Sequence, residues 1–142
     1  MFKKILVPTD ASEYSRRALT LALELARTYQ SEIELFHVSY TPQAYWGYTL
    51  SYGITVTQEQ LDRNGDLALE ATLMGMDTTQ VVITKKVDSG HPVTLILDEI
   101  KNEKIDLVIM GSHGYGLIAG SVLGSVSQRV LQQAECPVLI VK

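Results

Sequence analysis

Five short apolar runs alternate with segments of helical period along this chain, and that order predicts an α/β protein: a single doubly wound, five-stranded parallel sheet with helices on both faces. Three observations carry the prediction. The apolar runs are nearly continuous, as suits parallel strands covered on both sides. The segments between them repeat apolar residues every three or four positions. The connections are mostly short, which favours regular crossovers.

The strand candidates are Ile5 to Val7, Ile33 to Val38, Val81 to Val87, Ile105 to Met110 and Val138 to Val141. The first helix is marked by the stripe Ala18, Leu19, Ala22, Leu25, Ala26 and Tyr29, with Asp10 or Ser12 placed to cap it. Thr57 and Gln60 have the spacing of a capping box and predict a helix from about residue 58 into the seventies, although Gly65 and a mixed stripe blur its pattern. Val93, Ile96, Leu97 and Ile100 follow Pro92 at i, i+3, i+4 and i+7 and predict the third helix, with His91 as its cap. The last helix covers Gly124 to Gln133, turns Val126, Val130 and Ala134 inward, and ends at Cys136-Pro137.

A chain of 142 residues with 46% hydrophobic and 20% charged content has the profile of one globular domain, spanning residues 1–142, that needs no covalent staple. A formal net charge of −4 provides no broad positive field for nucleic acid or anionic lipid, so neither is an expected partner. The single cysteine, Cys136, excludes an internal disulfide framework and is expected to serve as a small buried hydrophobe. Ile5-Leu6-Val7 is too short for a signal-peptide core, and no apolar run approaches the roughly 20 residues of a membrane-spanning helix. A cytoplasmic protein is expected.

One connection is long, Ser39 to Val56, and it gathers Tyr40, Tyr45, Trp46, Tyr48 and Tyr52. A lid or partner surface and a loop folded over the core edge are equally consistent with it. His37 lies inside a strand, where core packing is expected, and Asp88 before Ser89-Gly90 reads as a turn residue.

The chemistry concentrates after the fourth strand, where Gly111-Ser112-His113-Gly114 is followed after nine residues by Gly124-Ser125-Val126-Ser127 at a helix start. In open parallel sheets ligands settle beyond the carboxyl ends of the strands, and a helix N-terminus there offers unpaired N–H groups and a positive dipole end. Glycine lets those amides approach a bulky anion, Ser125 and Ser127 could add hydroxyl donors, and phosphate is the natural ligand. The same glycines would also suit a simple tight turn.

The spacing Gly111-x2-Gly114-x9-Gly124-Ser125 resembles the ATP-binding signature of the universal stress protein family. Ile5 to Asp10 resembles that family's first strand and turn, Asp106 to Gly114 its fourth, and Cys136 to Val141 its last. The resemblance implies strand order 3-2-1-4-5, which sets Asp10 and Gly111 facing each other across the switch point. It further implies adenine and ribose against Pro8, Thr9, Asp10 and the backbone of Val38. Met110, Gly111, Ser112, His113 and Gly114 would meet ribose and the first phosphates, and Gly124, Ser125, Val126 and Ser127 the rest. ATP would arrive with Mg2+, for which Asp10 is a hard oxygen ligand. Homodimerisation through the Val138–Val141 edge strand is implied as well.

A Walker A lysine is absent, and neither Lys85 nor Lys86 has a spacing that places it at the glycine segment. Slow hydrolysis stays open, efficient turnover is not predicted, and the expected role is a nucleotide-dependent stress or regulatory protein. Two other classes fit less well. A phosphate-accepting response regulator needs an acidic pair, an acceptor Asp and a Lys, where this chain offers Asp10 and Asp88. A dinucleotide-binding dehydrogenase needs a glycine turn where Pro8-Thr9-Asp10-Ala11-Ser12 stands. A dimeric scaffold with no need of nucleotide remains the alternative.

Overall fold

The computed structural model describes residues 1–40, 57–115 and 122–142. Tyr45, Trp46, Tyr48 and Tyr52 of the aromatic connection, and Gly116 and Gly120 of the glycine segment, lie outside the described residues. The elements in order are β1 (Lys4–Pro8), α1 (Glu13–Tyr29), β2 (Glu32–Tyr40), α2 (Gln58–Leu73), β3 (Val82–Gly90), α3 (Pro92–Asn102), β4 (Leu107–Gly111), α4 (Ser125–Gln133) and β5 (Val138–Val141). All five strands are parallel, in the order β3-β2-β1-β4-β5.

Alternation along each strand divides the core in two. Ile5, Val7, Ile33, Leu35, Leu107 and Ile109 point to one face, where α1 covers them with Ala18, Leu19, Ala22, Leu23 and Ala26 and α2 adds Leu69. Leu6, Phe36, Val108 and Met110 point to the other, under Ile96 and Ile100 of α3 and Val130 of α4. Cys136 packs at the edge of this second cluster, half-buried rather than fully enclosed.

The structure extends β2 to Tyr40 and β3 to Gly90. Asp88 is therefore no turn residue: it pairs with Val38 inside the sheet, because the β2–β3 ladder runs unbroken from Glu32↔Val82 to Tyr40↔Gly90. The blurred stripe of α2 also has a physical cause. Its buried residues are Gly65, Leu69 and Thr72, and a Cβ at Gly65 would overlap Val87, so the helix approaches β3 through a small residue that hydropathy does not register. The predicted capping box at Thr57 and Gln60 is present.

Candidate functional site

Where β1 and β4 diverge, the Pro8–Ser15 turn and the Gly111–Tyr115 segment flank a cavity of about 730 Å³. Of the thirteen residues singled out in the sequence, twelve line it: Pro8, Thr9, Asp10, Val38, Met110, Gly111, His113, Gly114 and Gly124 to Ser127. Ser112 does not. Its side chain is buried at 2% exposure. Its amide donates to Val141 O at 2.7 Å and its carbonyl accepts from Gly124 N at 2.7 Å, so Ser112 ties the segment to β5 and to the start of α4.

The β1 turn is tied both to itself and to its neighbours. Ala11 N donates to Thr9 Oγ1 at 3.0 Å, and Thr9 and Thr72 share a 2.7 Å hydroxyl bond. Thr72 donates onward to Ala68 O at 2.7 Å, so the Thr9 hydroxyl serves the scaffold rather than the cavity. His37 is not a core-packing residue: its Nδ1 donates to Thr9 O at 2.8 Å, which binds the end of β2 to the turn.

Asp10 and Ser12 divide the two roles expected of either. Ser12 is the N-cap of α1, its Oγ accepting from Ser15 N. Asp10 Oδ1 accepts from Ser12 N at 3.0 Å and Ser15 Oγ at 2.8 Å, and Oδ2 from Tyr115 N at 3.1 Å. Burial works against the Asp10 carboxylate, but these donors outweigh it and hold its pKa below the ordinary aspartate value. Asp10 faces Gly114 more closely than Gly111: a Cβ at Gly114 would overlap Asp10 Oδ2. At Gly111 a Cβ would meet Tyr14 Cβ at 2.6 Å, so that glycine is required by the packing of α1. Tyr115 closes the junction, its hydroxyl donating to Ala11 O at 2.9 Å.

The opposite wall is different. Helix α4 has Gly124 as its N-cap and therefore no capping side chain. Its first internal bond is from Gln128 N to Gly124 O at 2.9 Å, and the amides of Ser125, Val126 and Ser127 meet no acceptor among the described residues. The Ser127 hydroxyl, expected as a ligand donor, instead gives its proton to Gly111 O at 2.8 Å and is buried; the Ser125 side chain is exposed. His113 Nδ1 lies 3.0 Å from Ser112 Oγ, and its ring packs on Tyr14 at a centroid distance of 5.5 Å.

Sequence reasoning missed the other lining residues that matter. Phe36, Val93 and Ile96 make an apolar floor beside Val38 and Met110. His91 stands at the N-cap of α3 but makes no capping bond; its ring instead packs edge-on against Tyr40 at 6.1 Å, and both line the cavity. Arg129, the only Lys or Arg among the described lining residues, follows Ser125 by one helical turn, an i, i+4 relation that was legible in Gly124-Ser125-x3-Arg129. Among the described residues no group of three His, Cys, Asp or Glu could hold a metal, so any cation here would rely on oxygens of a ligand beside Asp10.

Fold and site together define a doubly wound α/β protein with a mostly apolar cavity at its switch point. Residues 1–142 match the Universal stress protein family throughout, and the chain belongs to that family. It is 32% identical to the universal stress protein YxiE of Bacillus subtilis, with all of both chains covered. Its fold is similar to that of MJ0577 of Methanocaldococcus jannaschii, with a TM-score of 0.78 and 27% identity over 100% of this chain and 96% of the other. It is also similar to a universal stress protein solved in complex with cAMP, with a TM-score of 0.62 and 27% identity over 99% of this chain and 96% of that one.

Proposed function

We propose that the cavity binds ATP, with Mg2+ brought by the phosphates, and that occupancy rather than turnover is the functional event. The observation that carries this reading is the open N-terminus of α4: three consecutive amides, Ser125 to Ser127, without acceptors among the described residues, bordering the cavity at the positive end of a helix dipole. The apolar floor of Phe36, Val38, Val93, Ile96 and Met110 suits a flat base, and the backbone of the Pro8–Asp10 turn lies beside it. The relative in complex with cAMP supports an adenine nucleotide as the ligand class. Bound nucleotide would supply a triphosphate–magnesium anion; the chain's part is to hold it through the glycine amides and to shape the cavity through the Asp10 junction.

Calorimetric titration with MgATP tests the reading. Wild-type protein is expected to bind, and Gly124→Val to lose at least about tenfold in affinity, because a branched side chain there crowds Ser112 O and His113 Cα, each only 3.3 Å from a Cβ at this position. No wild-type binding at millimolar ligand, or equal binding by the variant, defeats it.

The reading extends to a cytoplasmic homodimer joined through β5. That strand is a sheet edge, with Leu139 38% exposed, and its apolar run is open to a second copy. Light scattering at micromolar concentration is expected to give the dimer mass, and Leu139→Lys the monomer mass. A monomeric wild type defeats this part. Among the described residues no helix is long and apolar enough to cross a membrane.

A further inference from the structure

Resting on the nucleotide reading above, we infer that Arg129 makes the site selective for phosphate number, favouring a nucleoside triphosphate over a monophosphate. Arg129 lines the cavity one turn beyond Ser125, on the same face of α4. Long helical side chains lean toward the helix N-terminus, a tendency that favours a reach of the guanidinium toward the three amides over one away from them.

The charge is available. Lys4, Arg17, Arg27, Arg63, Lys86 and Lys101 are each engaged with a carboxylate, whereas Arg129 forms no ion pair among the described residues. Asp10, the one carboxylate among the described lining residues, is occupied on the opposite wall by Ser12, Ser15 and Tyr115. Among the described lining residues the positive charge therefore sits on α4, and the hydrogen-bonded negative charge on the β1 turn.

That asymmetry separates the two ends of a nucleotide. A base on the apolar floor and a sugar at the Pro8–Asp10 turn place a first phosphate near Gly111–Gly114, and a monophosphate ends there. Because Gly124 N bonds Ser112 O and Ser127 Oγ bonds Gly111 O, the α4 amides begin beside that first phosphate, and only a longer phosphate chain extends on to Arg129, whose guanidinium fork adds a full charge matched to phosphate oxygens.

The test is calorimetric titration of wild type, Arg129→Gln and Arg129→Lys with MgATP and with AMP. Arg129→Gln replaces an exposed helical residue by another good helix former, so its melting temperature serves as the folding control. The expected result is an ATP affinity about tenfold lower in Arg129→Gln, AMP affinity within about twofold of wild type, and partial recovery of ATP affinity in Arg129→Lys. The salt dependence of ATP binding should also flatten in Arg129→Gln. Equal losses for ATP and AMP, or no loss for either, overturn the assignment of Arg129 and leave the nucleotide site standing. Failure of wild-type protein to bind either nucleotide overturns the site itself and this assignment with it.

Discussion

Asp10 and Glu34 are both acidic residues withdrawn from water, yet their surroundings drive them in opposite directions. Asp10, at the carboxyl rim of the sheet, accepts three hydrogen bonds and has a lowered pKa. Glu34, inside β2 and 4% exposed, has an Oε1 that meets no donor. Lys86, the cation that could serve it, gives both of its bonds to Glu99, at 2.8 and 2.7 Å. Burial first, and then the neighbouring Glu99 carboxylate, push the Glu34 pKa up to about 7. Whether donors from the local backbone and from Ser15 offset the cost of burial decides which carboxyl stays ionised. At the rim the α1 turn and the Gly114–Tyr115 segment converge on one side chain; within a strand the amides are already committed to the sheet.

The largest effect in this comparison is expected from Asp10→Ala. It removes the acceptor of two amides and a hydroxyl at the junction of both walls. With hydrogen bonds to a charged group contributing on the order of 1.5–3 kcal/mol each, and solvent replacing part of that here, a loss of about 2–3 kcal/mol at pH 7 is expected from urea denaturation. The pH dependence has a definite sign. A lowered folded-state pKa gives stability that is present above the ordinary aspartate value near 3.8 and disappears as pH falls through the folded value, so the gap between wild type and variant should close in acid. A gap independent of pH down to 3 would mean that the Asp10 charge does not hold the junction.

The same contrast explains what the sequence disclosed. The strand order came from the family resemblance alone, whereas the strands and the glycine signature were legible because each is a local pattern, apolar runs for the sheet and Gly111-x2-Gly114-x9-Gly124 for the segment. Contacts between distant segments were not. Nothing near Asp10 announces Tyr115 as its donor, and nothing near His37 announces Thr9 O, because both bonds exist only after β1 has been placed between β2 and β4. The expected hydroxyl role of Ser127 failed for the same reason: an acceptor sixteen residues away, Gly111 O, takes its proton. Gly65 misled in the other direction, since a residue without a side chain reads as a break in a stripe when it is the point of closest packing.

The smaller effect belongs to Glu34→Gln, and it should be a gain. Because the folded-state pKa of Glu34 lies above its unfolded value of about 4.5, the folded protein binds a proton that the unfolded chain releases, and folding becomes less favourable as pH rises from about 4.5 toward 7. Above that window the wild type carries a buried charge facing Glu99, with Glu103 adding repulsion and Lys86 only partial relief. Glutamine cannot ionise, so the variant escapes the penalty while keeping the volume. At pH 8 it should be more stable by about 1–2 kcal/mol, less than the full linkage value because a neutral amide is still buried with incomplete bonding; at pH 5 the two proteins should differ little. Thermal melts across pH 5 to 8 would show the curves of wild type and variant diverging as pH rises. Parallel curves would mean that Lys86 neutralises Glu34 as well as Glu99, and that the two carboxyls share one cation without sharing its cost.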